Sequence, residues 1–185
     1  DPIGSRGLGD VYKRQIEAMD TEIGRLLSSL SQDERDNTTI LFIGDNGTPR
    51  QVADRSIYAN GSKGNLTEGG LAVPMIASGA GVSRQNVRED ALISSTDFFA
   101  TITNIAGSSE TSVENSKSFK HLLSSDSSNH REYLYSDFSG NNVSGWAVRN
   151  NFFKLISTDN GQELYNLASD PVSYTHLRAH ETLLD

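Results

Sequence analysis

The sequence predicts an α/β fold with a small antiparallel sheet toward its C-terminal end, and three features carry that prediction. A helical period over residues 16–30 gives way to a short, nearly all-apolar run at 38–43 that stops abruptly at Gly44-Asp45-Asn46-Gly47. A second apolar run and a second helical period follow between Leu71 and Gly107. From Tyr133 onward the period shortens to two, with turn residues between the runs.

In the first helix, Met19, Ile23, Leu26, Leu27 and Leu30 follow Ile16 at the spacing of one apolar stripe, which leaves Glu17, Glu22 and Arg25 for water. A polar connection, SQDERDN, leads to the 38–43 run, whose β-rich, unalternating character suits a strand buried on both faces of a parallel sheet. Residues 71–77 form the next strand, with Pro74 at its edge or start because proline cannot donate to a ladder. Ser94 or Ser95 caps a helix through Phe98, Phe99, Ile102 and Ile105 that ends at Gly107. Residues 108–131 are rich in Ser, Asn and Asp and read as a mobile surface insertion, anchored only by Phe119, Leu122 and Leu123. Short strands at 133–137, 145–149 and 152–156, then an Asp159-Asn160-Gly161 turn before Glu163-Leu164-Tyr165, make up a small antiparallel subdomain over 132–171.

Composition narrows the function. The 185 residues carry 16 Lys and Arg against 24 Asp and Glu, a net charge of −8, and no basic cluster stands beside aromatics, which argues against nucleic acid as a partner. No apolar run is long enough to span a membrane. The absence of Cys removes disulfides, cysteine-zinc sites and any cysteine-derived nucleophile from this stretch.

The two ends read as non-native flanks that make no stable core contacts. Residues 1–15 have three glycines and no apolar period, and residues 172–185 follow a segment that already looks finished. DVYKRQ and PVSYTHLRAHET resemble translated sequencing-adapter DNA, and setting both flanks aside leaves the net charge at −8. His176 and His180 stand at a helical zinc-ligand spacing, but in a segment read as non-native.

Two polar loops carry the chemical interest. Asp45-Asn46-Gly47 could be a plain turn, as the second Asp-Asn-Gly at 159–161 is read to be; what separates it is its place at the end of an apolar strand, where open α/β sheets bind ligands. A carboxylate beside an amide oxygen offers two hard ligands, which suit Ca²⁺ or Mg²⁺. In the second loop, residues 61–70, Lys63 stands alone among glycines, where backbone can approach a ligand and a compact cation can hold an anion; the plain alternative is an exposed flexible loop. Residues 44–64 hold Asp45, Arg50, Asp54, Arg55 and Lys63, a local charge of +1 inside an acidic chain. Asn65-Leu66-Thr67 matches a glycosylation sequon of the kind expected by chance, and Gly79-Ala80-Gly81 lacks the rest of a dinucleotide fingerprint.

Taken in order, IEAMDTEIGRLLSSL at 16–30, TTILFIGDNG at 38–47, KGNLTEGGLAVPMI at 63–76, STDFFATITNIAG at 95–107, WAVRNNFFKLI at 146–156 and ELYNLASDP at 163–171 resemble the C-terminal portion of a type I sulfatase of the alkaline phosphatase superfamily. The resemblance implies the C-terminal part of a sulfatase catalytic domain over 16–107, an alkaline-phosphatase-like sheet flanked by helices. It implies a sulfuric ester hydrolase of the arylsulfatase kind, periplasmic or secreted when intact, acting on a sulfated small molecule or glycan. It implies Asp45 and Asn46 as calcium ligands and Lys63 as the lysine on the substrate sulfate, stabilising charge on its oxygens. Glu68 falls in a loop that mainly shapes the turn, and Asp20 and Asp97 fall at recurrent helix positions with a packing or capping role.

The departure from the family pattern is equally plain. A sulfatase nucleophile is a formylglycine made from Cys or Ser in a C/S-x-P-x-R motif near the N-terminus, and none of the four prolines here has that setting. The expectation is a truncated sulfatase, inactive alone, whose nucleophile and remaining calcium ligands lie upstream. A related phosphodiesterase or phosphonate hydrolase, and a non-catalytic glycan-binding module, are the competing readings.

Overall fold

The computed structural model describes residues 5–54, 56–58, 62–108, 113–125, 129–140, 143–171 and 173. It divides after Ala80 into two compact units.

The first unit opens on α1 (Ser5–Ser29), which begins well before the period at Ile16 that predicts it and runs through much of the segment set aside as a flank. The predicted stripe packs only in part within this chain. Ile16, Met19 and Leu26 are exposed at 61%, 44% and 65%, while Ile23, Leu27 and Leu30 are half-buried. The polar connection holds a short helix, α2 (Gln32–Asp36), which starts in a capping box: Ser31 Oγ accepts from Glu34 N while Glu34 accepts from Ser31 N. Arg35 then caps α1 from outside, its guanidinium donating to the Leu30 and Ser28 carbonyls at 3.0 and 2.9 Å.

β1 (Thr39–Ile43) and β2 (Met75–Gly79) form an antiparallel pair, from Thr39 opposite Gly79 to Ile43 opposite Met75. This corrects the expectation of a parallel, doubly buried strand. An apolar run cannot report the direction of its partner. Within this chain β1 is half-buried and its last residue, Ile43, is exposed, as is Ile76 on β2. β2 begins directly after Pro74, four residues later than predicted, because Leu71 closes a short helix, α3 (Glu68–Leu71), instead of opening a strand.

The second unit is built on α4 (Asp97–Ile105) and a four-stranded antiparallel meander. The residue at the α4 N-cap is Thr96, and Ser94 caps it in turn by accepting from the Thr96 amide at 3.3 Å. Gly107 ends the helix region at φ 74°, a conformation that glycine adopts without a Cβ clash. The Ser-rich stretch after it is held more firmly than a free excursion. Phe119, Leu122 and Leu123 are buried as expected, the last two in a 3₁₀ turn over Lys120–Leu123. Ser116 Oγ donates to the Thr96 carbonyl and accepts from the Ala100 amide, and the Phe119 amide donates to Thr101 Oγ1 at 3.0 Å.

The meander runs β3 (Leu134–Gly140), β4 (Val143–Arg149), β5 (Phe153–Thr158) and β6 (Gly161–Asn166), each paired with the next. Its alternation is that of a sheet covered on one face. Ala147, Lys154, Ile156 and Tyr165 share the buried face, whereas Tyr135, Asp137, Phe153 and Gln162 lie on the exposed one. The Asp159-Asn160 turn joins β5 to β6 as predicted, with Gly161 at φ 125°. Burial first, and then the Glu163 carboxylate that accepts its hydroxyl at 2.6 Å, push the Tyr165 phenol far above its ordinary value. Ser173, in the stretch set aside as a C-terminal flank, is fully buried, and its amide donates to Asp170. His176 and His180 lie outside the described residues. Among the described residues no helix is long and apolar enough to cross a membrane.

Candidate functional site

Three backbone hydrogen bonds in the first unit build the site. As the chain leaves β1, the Gly44 amide donates to the Pro74 carbonyl at 2.9 Å and the Gly47 amide to Gly70 at 3.2 Å, while the Lys63 amide donates to Thr48 at 3.0 Å. These bonds join the loop after β1 to the glycine-rich loop before β2, so that Asp45, Asn46 and Lys63 sit in one loop cluster. Gly47 is required there for space. A Cβ on it would meet the Gly69 carbonyl oxygen at 2.1 Å and Gly70 Cα at 2.8 Å, both rigid backbone atoms. Gly47→Ala is therefore expected to part the two loops and to cost about 1–3 kcal/mol. Denaturant unfolding checks this, and an unchanged midpoint would mean the loops are not held by this contact.

Asp45 is exposed and Asn46 half-buried. The Asn46 Nδ2 amide donates to Asp45 Oδ2, which orients the pair and leaves the other carboxylate oxygen and Asn46 Oδ1 as acceptors. Two adjacent hard oxygens fit a calcium ion by donor chemistry, and they fill only part of its shell of six to eight. Among the described residues no group of three or more His, Cys, Asp or Glu stands together to complete one. Lys63 and Arg50 are exposed. Asp54 is turned aside: hydrogen bonds from the Ser56 hydroxyl and then its amide hold its carboxyl below the usual range. Arg55 and Gly61 lie outside the described residues.

The remaining sequence candidates separate. Glu68 is buried in the first turn of α3, next to Thr67, whose Oγ1 is buried with no partner among the described residues. Asn65 Oδ1 accepts from the Thr67 amide, so the sequon residues are folded into a turn. Asp20 is exposed on α1. Asp97 does cap, accepting from the Ser94 amide at 3.0 Å, but it is also the centre of a buried ion cluster that sequence reasoning missed. His130 Nε2, Arg131 Nε and Nη2, and the Lys117 amide all bond its two oxygens. Burial raises the Asp97 carboxyl, yet the bonds from Arg131, Ser94, Lys117 and His130 together hold it below the usual carboxylate range.

Residues 7–108 match the sulfatase family. This chain belongs to that family. It is 30% identical over 112 residues to arylsulfatase G of Mus musculus, an alignment covering 54% of this chain and 21% of that protein, and 30% identical over 111 residues to arylsulfatase G of Canis lupus familiaris. The chain thus spans about a fifth of the length of the curated relatives it matches. A solved structure of a putative sulfatase from Bacteroides thetaiotaomicron superposes with a TM-score of 0.76 at 20% identity, covering 94% of this chain and 39% of that one. A 2-O GAG sulfatase gives a TM-score of 0.75 at 19% identity, over 95% and 39% of the two chains. The fold is therefore that of the matching part of these sulfatase structures.

Proposed function

We propose that the protein to which this chain belongs hydrolyses a sulfate ester, with Asp45 and Asn46 as calcium ligands and Lys63 on the substrate sulfate. The observation that carries this reading is the joining of the two loops through the Gly47 and Lys63 amides, which sets the loop carrying Asp45 and Asn46 against the loop carrying Lys63 in a sulfatase-family chain. Bound calcium would act as a Lewis acid on the sulfate oxygens. Asp45 supplies the formal charge that holds the ion, and Asn46 a neutral oxygen oriented by its bond to Asp45. Lys63 is a compact point charge on a flexible stem, suited to meet negative charge as it grows on the sulfate oxygens. The attacking group, read as a formylglycine, has no precursor in a C/S-x-P-x-R setting in this sequence and is placed upstream.

A sulfated glycan is the substrate class this reading favours, since the structural relative BT4656 is described with its substrate D-glucosamine-2-N,6-O-disulfate and Ps i-CgsB with k-i-k-neocarrahexaose. The test is an assay of aryl sulfate and sulfated saccharide hydrolysis by two proteins: this chain alone, and the chain joined to its upstream coding sequence. The expected result is no turnover by the first above a heat-treated control, and calcium-dependent turnover by the second. Turnover by the chain alone would overturn the placement of the nucleophile, and phosphodiester hydrolysis without sulfate release by the longer protein would overturn the reaction.

A further inference from the structure

We propose that His130 and Asp97 form an acid-sensitive latch, which holds residues 115–119 against α4 at neutral pH and releases them on mild acidification. The cluster belongs to the second unit, and the loops assigned above belong to the first. Asp97 and His130 have fully buried side chains, joined at 3.1 Å between His130 Nε2 and Asp97 Oδ2. An ionised Asp97 can only accept, so Nε2 carries a proton, and in the neutral ring Nδ1 then holds a lone pair. Nδ1 is buried and has no hydrogen-bond partner among the described residues.

The surroundings oppose a second proton at Nδ1. From the strap before the 3₁₀ turn, the Lys117 ammonium donates to the His130 carbonyl, and from the 3₁₀ turn the His121 ring lies 5.5 Å away, centre to centre. Phe119 presents an apolar ring edge-on at 6.4 Å. On α4 the one negative group is Asp97, whose charge Arg131, the next residue after His130, already meets with two hydrogen bonds. Burial pushes the His130 imidazole below its ordinary value; Asp97 pulls it back up, and Lys117 and His121 press it further down.

The same cluster ties down the strap. The Lys117 amide donates to Asp97 Oδ1, and Arg131 donates to both Asp97 and the Asn115 carbonyl. Releasing the strap frees His130 to take a proton at about pH 6.5, which the latched form refuses. Below that pH the released state binds more protons, so the latch weakens as pH falls, by at most about tenfold per pH unit until the latched imidazole itself protonates. Above about pH 6.5 His130 has no effect on the balance.

The test is hydrogen exchange at the Lys117 and Phe119 amides of the full chain between pH 7.5 and 5, corrected for intrinsic exchange. Protection is expected to fall below pH 6.5, with a slope of at most about tenfold per pH unit. In His130→Gln, which keeps a donor for Asp97 and cannot titrate, that slope should vanish; in His121→Gln it should persist. A wild-type chain without the slope, a His130→Gln chain that keeps it, or its loss in His121→Gln would overturn the latch. Should His130→Gln not fold, the ring proton shifts of His130 in the unaltered chain decide: a titration midpoint below about 6.5 supports the latch, and one at or above it refutes the latch.

Discussion

Replacing Asp45 by Ala in the complete sulfatase is expected to cost both metal and activity, while Lys63→Ala keeps the metal and loses rate. Asp45 is the one carboxylate of the proposed ligand pair, and calcium sites are tuned by ligand charge; its loss should lower calcium affinity by on the order of a hundredfold. In the proposed arrangement Lys63 meets the sulfate instead of the ion, so its removal should leave calcium affinity within about twofold and lower kcat by about 10²–10³, the range for losing one preorganised stabiliser. Calcium titration read beside kcat/KM separates the roles. If Lys63→Ala lost calcium and Asp45→Ala kept it, both loop assignments would be wrong.

Asp97→Ala is expected to be the most destabilising single change in the second unit. It leaves His130 buried without its acceptor and strands the Arg131 guanidinium, whose side chain is 20% exposed, so the cost should be about 3–5 kcal/mol. Denaturant unfolding of the full chain measures it, and a loss under about 1 kcal/mol would mean water replaces the carboxylate without penalty. The variant should also lose part of the acid sensitivity. The folded Asp97 carboxyl lies below the usual range, so its contribution is full above the ordinary carboxylate value and is lost as pH falls through the folded one.

The elements that the sequence made legible are those whose signal is local. The hairpin at Asp159-Asn160 follows from turn chemistry, the capping box at Ser31 and Glu34 could have been found by the same reasoning, and Pro74 marked the boundary of β2. The antiparallel pairing of β1 was not legible, because an apolar run does not encode its neighbour's direction. The loop pair was legible as two separate motifs; the Gly47 contact that joins them depends on a backbone 22 positions away, at Gly69. Asp97 was legible, through the family resemblance, as a helix position with a packing or capping role, but not as a hub, since His130 and Arg131 come from 33 and 34 positions on, across a stretch whose composition suggests no structure. Buried Lys154 likewise gives no sign of itself in a run that otherwise reads as a plain strand.

The open stripe of α1 has a consequence for how this chain behaves in solution. Ile16, Met19 and Leu26 are exposed on one helix, and copies that meet through such stripes would bury apolar area that the chain by itself leaves wet. What opposes that meeting is mutual repulsion between molecules of net charge −8. Repulsion of this kind reaches only as far as the ionic atmosphere allows, about 30 Å at 0.01 M salt and about 8 Å at physiological ionic strength. Added salt therefore removes the barrier and leaves the attraction untouched, so the colloidal stability of this chain is set by its buffer as much as by its sequence.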